Sequence, residues 1–419
     1  MLVGRSSAII VATSALTAQF VGSGPVRAAP LDRMSLDEAI RQDRVSVEWK
    51  PTDRQTNFML QGRATRSPRS GPVTIGVPMA TVFVGSKSRA KFVALSTRTI
   101  DLTRQSSANF SILAASVSQD PTFLPESDDQ FTITTVPAQR ELLAVLPLLA
   151  KDDSWPAKQA AVWVLADDAD YEKLSKIGSR NIVSFISSGV IGERHAVRAM
   201  MYIQRAGLNL RNRRIWTDGS RLCTYVVTSG VDLKGDESGW CMESLAGFAA
   251  DEAAKGQNEK ARTTWTALLV GATLRNDPAR LTVALEAGAD VNTTWWQSIQ
   301  PLALAAKSGR LELLNLLLDH GANIDAPNTS DFTALIFSVR FGHPGAVTLL
   351  LERGANANAR DKDGNTPLIF AAEQGMAGSV HALLAKGADV NSKNKDGHTA
   401  LSRAKNPDVI RLLKMAGAQ

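Results

Sequence analysis

A five-residue phrase occurs four times in the last third of the chain. It reads Gly288-Ala-Asp-Val-Asn292, Gly321-Ala-Asn-Ile-Asp325, Gly354-Ala-Asn-Ala-Asn358 and Gly387-Ala-Asp-Val-Asn391, each 33 residues after the one before. A second series, Pro301-Leu302, Ala334-Leu335, Pro367-Leu368 and Ala400-Leu401, keeps the same 33-residue period, and Ala267-Leu268 precedes it by 34. A repeat of this length is one supersecondary unit that buries its apolar face only against its neighbours. The residues assign the parts of each unit. Thr366-Pro367 opens a first helix, because Thr caps it and Pro fits the first turn. Ala371 and Ala372 are small enough for close packing, Gly375 ends that helix, and Leu383 and Leu384 fill the core from a second one. Gly387 supplies the left-handed C-cap. The polar hairpin Asp361-Lys-Asp-Gly364 projects outward.

This pattern, Thr-Pro-Leu opening one helix and Gly-Ala-Asp-Val-Asn closing the next, resembles the ankyrin repeat. The resemblance covers residues 263–419 and implies an all-α ankyrin-repeat solenoid of four full units with a truncated fifth as its cap. One departure is plain: the family's His after Pro-Leu is replaced by Ala303, Ile336, Ile369 and Ser402. The Thr–His hydrogen bonds that tie neighbouring hairpins are thereby lost, and the rigidity of the hairpins is left open. The resemblance implies binding of a protein partner through hairpin tips and the exposed, concave face of the first helices. Carried over by position, that surface takes in Trp295, Trp296, Gln297, Ile299 and Lys307 from one unit. The next units contribute Phe332, Arg340 and Phe341, then Lys362, Asp363, Asn365, Glu373 and Gln374. Aromatic residues and Arg are enriched at binding hot spots, which singles out Trp295, Trp296, Phe332 and Phe341. The alternative for the two tryptophans is packing against the preceding domain or the neighbouring hairpin.

Upstream of the repeats the chain reads as three segments. Arg5, the apolar stretch Ala8 to Val21 and the Val26-Arg-Ala28 exit have the form of a secretory signal peptide over residues 1–28, cut after Ala28. This predicts a periplasmic or secreted protein, with no integral membrane insertion once the signal is removed. From Val45 to Val136, short runs rich in Val, Ile, Thr and Phe are separated by Gly, Pro, Ser and Asp. The runs are Val73–Val77, Thr81–Gly85, Phe92–Leu95, Thr99–Leu102, Ser111–Ala115 and Phe131–Val136, which suggests an antiparallel β-sandwich over residues 45–136. The polar stretch Gln61–Gly71 reads as a loop or edge hairpin, and Ser35 as the cap of a short helix. Residues 137–262 read as a helical subdomain with helices behind Pro137 and Pro156, at Tyr171–Ile177, Asn181–Ile186 and Glu193–Ala206. Within it, Trp216–Trp240 reads as a hairpin that bears both cysteines. Cys223 and Cys241 are the only two in the chain; in an exported protein such a pair favours a disulfide worth about 3 kcal/mol over free thiols. The helix Gln159–Asp168 resembles one in uncharacterised secreted bacterial proteins, a likeness that implies no activity.

Charge and motifs narrow the function. The formal charge is +6, yet residues 263–419 hold 15 Lys and Arg against 14 Asp and Glu. Without a one-sided basic field, nucleic acid is not an expected partner. Arg211, Arg213 and Arg214 form the densest basic run and read as a solvated helix end. No zinc-protease, nucleophile-elbow or phosphate-loop motif occurs, so neither catalytic residues, cofactor nor metal is expected. Ser88-Arg-Ala-Lys91 matches a Ser-x-x-Lys pattern but lies between strands. The acid pairs Asp128/Asp129, Asp152/Asp153 and Asp167/Asp168 lack calcium-loop spacing. An enzyme, or a receptor for a small ligand or cell-wall polymer, within residues 45–262 is the rival to the protein-binding reading.

Overall fold

The structure is a computed structural model and describes residues 32–50, 59–87, 89, 91–117, 130–134, 139–151, 154–169, 172, 174, 191–229, 236–295 and 298–419. The signal-peptide segment, Ser88, Trp296, Gln297, the acid pairs at 128 and 152, and the Asn181–Ile186 helix lie outside the described residues.

The front of the chain is built of two sheets. Strands β1 (Asp32–Ser35), β4 (Val73–Val77) and β7 (Arg98–Leu102) form a three-stranded sheet in which β1 runs parallel to β4. The larger sheet has the order β2-β3-β8-β6-β5-β9 and is antiparallel throughout. Its members are β2 (Val45–Trp49), β3 (Met59–Arg66), β5 (Val82–Gly85), β6 (Lys91–Ala94), β8 (Ser107–Ser116) and β9 (Phe131–Thr134). Between the sheets, Trp49 meets the edges of Phe83, Phe110 and Phe131 at centroid distances of 5.6, 5.6 and 5.3 Å. Ile75, Ile100 and Leu102 of the smaller sheet share this core. Ser35 caps α1 (Leu36–Arg41), accepting from the Glu38 N–H at 3.2 Å. The stretch from Gln61 is no loop: β3 lies between β2 and β8, its Leu60 and Ala64 inward and Arg63 outward.

Alternate residues of the central strands enter different cores. Phe83, Phe92 and Ala114 point to the smaller sheet, whereas Val82, Val93 and Ala115 point to the helices. The period-2 geometry of a strand makes this division, and the large sheet is therefore covered on both faces there. Helices α2 (Gln139–Leu149) and α3 (Trp155–Asp167) supply the cover; Ser154 caps α3, and Ala157 and Ala160 to Leu165 are buried.

Next come α4 (Glu193–Arg205), α5 (Ile215–Thr228), α6 (Asp236–Ala254) and α7 (Asn258–Arg275). The cysteine segment is thus a pair of helices, contrary to the β-like reading of its Thr and Val residues. Per-residue helix propensities differ by less than about 1 kcal/mol, and Val226 and Val227, both at most 1% exposed, gain more than that by burial. The Cys223–Cys241 disulfide joins α5 to α6. The basic run is solvent-exposed at Arg211 and Arg214 and also paired: Arg211 to Asp251 at 3.4 Å, the more buried Arg213 to Glu141 at 2.6 Å and Arg214 to Asp168 at 3.9 Å.

Helix pairs then follow in register with the repeats: α7 with α8 (Pro278–Glu286), α9 (Pro301–Lys307) with α10 (Leu311–Asp319), and α11 (Ala334–Arg340) with α12 (Pro344–Glu352). After them come α13 (Pro367–Glu373) with α14 (Ala377–Ala385), and the short α15 (Ala400–Arg403) with α16 (Pro407–Met415). Helix α7 belongs to two structures at once. Its Ala267-Leu268 occupies the first-helix position of a repeat, while Gly271 lies against Met242 and Val227; a Cβ there would stand 2.6 Å from the Met242 sulfur. Buried residues of α3 to α7 and of the repeats form one continuous apolar cluster.

Candidate functional site

The repeat phrase works as two consecutive devices. Its Gly adopts positive φ, +86° at Gly288 and Gly321, +93° at Gly354 and +80° at Gly387, which ends the second helix in the left-handed form that a Cβ disfavours. Its third residue then folds its own turn: Asp290, Asn323, Asn356 and Asp389 accept the N–H two residues on at 2.9 to 3.2 Å. The Ser392 hydroxyl and the Asn391 N–H hold the Asp389 carboxyl below the usual carboxylate range. The fifth residue crosses to the next unit. Asn292, Asp325, Asn358 and Asn391 accept from the N–H of Asn323, Asn356, Asp389 and Gln419 at 2.8 to 2.9 Å. The three asparagines also donate to the carbonyls of Gly321, Gly387 and Gly417 at 3.2, 3.0 and 3.3 Å. The unit is thus laced to its successor at the turn.

The hairpins are tied as well, without the histidines. Asn328, Asp361 and Asn394 each accept two backbone N–H groups, from positions two and four residues on. Between hairpins, the Lys362 N–H reaches the Ser330 carbonyl at 3.2 Å and the Lys395 N–H the Asp363 carbonyl at 2.9 Å. The Asn394 amide donates to Asn365 at 2.8 Å, and Arg360 to the Lys393 carbonyl at 2.9 Å. Backbone and amide contacts do what the missing His would have done.

The first hairpin differs in use. Trp295 stands 33 residues before Asn328, and its N–H closes on the Ile299 carbonyl at 2.8 Å as the later hairpins close. Its side chain, however, donates from Nε1 to the Thr228 carbonyl at the end of α5, at 2.7 Å. Ile299 is 6% exposed and packs in the core. Trp295, half-buried, is thus held against the end of α5, and Ile299 is buried in the core.

The exposed aromatic and cationic residues converge one unit further on. Arg340 sets its guanidinium over Phe332 at 5.2 Å and Phe370 at 5.6 Å, and the Lys307 ammonium lies 5.1 Å from the Phe341 ring centre. Phe341 is 46% exposed and stacks on the buried Phe337, centroids 6.2 Å apart. Cation–π contacts of this kind contribute about 0.5–1 kcal/mol at exposed sites and fix long side chains in one place. Gln374 donates to the Arg340 carbonyl at 3.1 Å, and Glu373 is ion-paired with Arg403. Lys362 and Asp363 are exposed at the hairpin tip, while Asn365 is half-buried and spent on Asp361 and Asn394. Phe337, Phe370 and Arg403 were not foreseen from sequence; Phe337 and Phe370 share a period position, 33 residues apart, which is the signal that marks them.

No three His, Cys, Asp or Glu among the described residues cluster so as to hold a metal ion, and no helix among them is long and apolar enough to cross a membrane. No curated protein matches the chain, so the likeness of Gln159–Asp168 to secreted bacterial proteins has no support. Two family models match the C-terminal region: ankyrin repeats (3 copies) over residues 268–361 and ankyrin repeats (many copies) over residues 350–404. Residues 268–404 are therefore ankyrin repeats, a scaffold suited to protein–protein interaction.

Proposed function

We propose that the chain is an exported protein whose ankyrin-repeat solenoid binds a protein partner, with the two-sheet sandwich and the helical region as its rigid base. The observation that carries this reading is the Arg340 guanidinium held against Phe332 and Phe370 beside the exposed Phe341 and the Lys307 amine. Side chains already fixed by such contacts lose little freedom on binding, so more of the contact energy appears as affinity. Lys362, Asp363, Glu373 and Gln374 extend the same face toward the later hairpins. The Cys223–Cys241 disulfide supports export, since such bonds persist in oxidising compartments.

The test is capture by cross-linking with the full chain, in extracts of the organism that encodes it, against a variant carrying Arg340→Ala and Phe341→Ala. A protein retained by the native chain should be lost at least about tenfold by the variant, equivalent to about 1.4 kcal/mol. Equal retention by a variant with unchanged circular dichroism would refute this surface. Export is checked separately, by finding the mature chain outside the cytoplasm with Ala29 at its N-terminus.

A further inference from the structure

A cleft of about 510 Å³ opens between α4, the loop that follows it, α5 and α6. That volume lies in the range of small-molecule sites, about 300–1,000 Å³. Trp216, half-buried, and Trp240, only 6% exposed, line it, and both indoles are fixed by hydrogen bonds: Trp240 Nε1 donates to Gln204 at 3.1 Å and Trp216 Nε1 to Asp251 at 3.0 Å. Phe248 packs behind Trp216, centroids 4.3 Å apart. Around these rings the walls alternate donors and acceptors. Gln204 spends its carbonyl on Trp240, which leaves its amide N–H groups to donate; Glu243 offers a carboxylate and Ser244 a hydroxyl.

The two cations at the rim do not make this an anion trap. Arg205 is paired with Asp236 at 3.3 Å and Arg211 with Asp251 at 3.4 Å, so each presents N–H groups whose charge is already balanced. A half-buried indole among balanced donors and acceptors suits a ligand that is apolar on its ring faces and hydroxylated around its edge. Gly247 lies in the cleft wall. It lies inside the 19-residue α6, where glycine is less stable than alanine, yet a Cβ there would meet nothing within 4 Å.

We infer that this cleft is a binding site for a neutral saccharide of one or two rings. The inference is independent of the partner-binding surface on the repeats. It is tested by isothermal titration of the full chain with glucose, cellobiose, maltose and diacetylchitobiose. At least one should bind, and Gly247→Leu, which fills the cleft from a position free of neighbours, should weaken that binding at least about tenfold without lowering the melting temperature. Glu243→Ala, at an exposed wall position, should weaken it as well and serves if the leucine variant does not fold. Absence of binding by every sugar at about 10 mM, binding unchanged in both variants, or displacement of the sugar by an equal concentration of inorganic phosphate would each overturn the proposal.

Discussion

Replacing Asn358 by alanine tests whether the turn-to-turn lacing holds the repeats together. The change removes two contacts: the Asp389 N–H donated to Oδ1 at 2.8 Å and the Nδ2 donation to the Gly387 carbonyl at 3.0 Å. A net hydrogen bond contributes about 0.5–1.5 kcal/mol, and the lower half applies here because the freed groups can meet water. The expected cost is about 1–2 kcal/mol, or a few degrees in melting temperature for a unit of this size. Asn358→Asp keeps the acceptor and loses the donor, so about half that cost is expected. The reverse experiment is built into the chain, since Asp325 already lacks the donor; Asp325→Asn should add a bond to the Gly354 carbonyl and gain about 0.5 kcal/mol. Urea unfolding followed by circular dichroism reads these as midpoint shifts at constant slope. Lys362→Ala is the control, because that side chain enters no hydrogen bond or ion pair among the described residues. If Asn358→Ala costs no more than the control, the lacing does not stabilise the array; if Asn358→Asp costs as much as Asn358→Ala, the acceptor contact to the Asp389 N–H contributes nothing.

Glu252 is 6% exposed and accepts from Ser220 at 2.6 Å and Thr264 at 2.7 Å, with Lys260 at 3.0 Å. Glu252→Ala strips the buried Ser220 hydroxyl of its acceptor, while Thr264 keeps the Lys260 carbonyl at 3.1 Å and Lys260 meets water, so it should cost about 1–3 kcal/mol by thermal or urea unfolding, with Glu252→Gln milder. Cys223→Ser with Cys241→Ser, or reduction, opens a loop of 18 residues and should cost about 3 kcal/mol, seen as a lower melting temperature only where the native disulfide was present. Asp277 caps α8: burial pushes its carboxyl up, but the Arg280 N–H and guanidinium and the Ala279 N–H outweigh that and hold it below its ordinary value. A lowered folded pKa means its stabilisation is full above about pH 4 and is lost as pH falls through the folded value. Asp277→Asn should therefore flatten the acid limb of a stability–pH curve below about pH 4, and an unchanged limb would contradict the assignment.

The repeats were legible because each chemical task recurs at a fixed interval: Thr333, Thr366 and Thr399 cap helices, and the four Gly residues end them. What lay between the repeats and the front was not. The C-terminal half of α7, from Ala267 to Thr273, is buried all round, so no polar stripe marks a helical period there. The pairing of the arginine run was not legible because Glu141, Asp168 and Asp251, which pair with it, are distant in sequence. β3 was missed for a related reason: Gly62, Ala64 and Arg63 are weak strand formers, and sheet neighbours on both sides decided the outcome. In the candidate surface, Arg340 and Phe341 followed from repeat position, whereas the fate of Trp295 depended on Thr228, which no periodicity connects to it.

The double membership of α7 has a consequence for how this molecule can be rebuilt. A repeat array grows by copying units, and every junction from Asn292 onward is made of the same turn contacts, so a further 33-residue unit placed between Gly354 and Gly387 would meet compatible neighbours on both sides. At α7 there is no such interchangeability. Its outward face answers to the repeats and its inward face to Met242 and Val227, so a unit inserted before α8 would part the array from its foundation. Length is adjustable in one direction only.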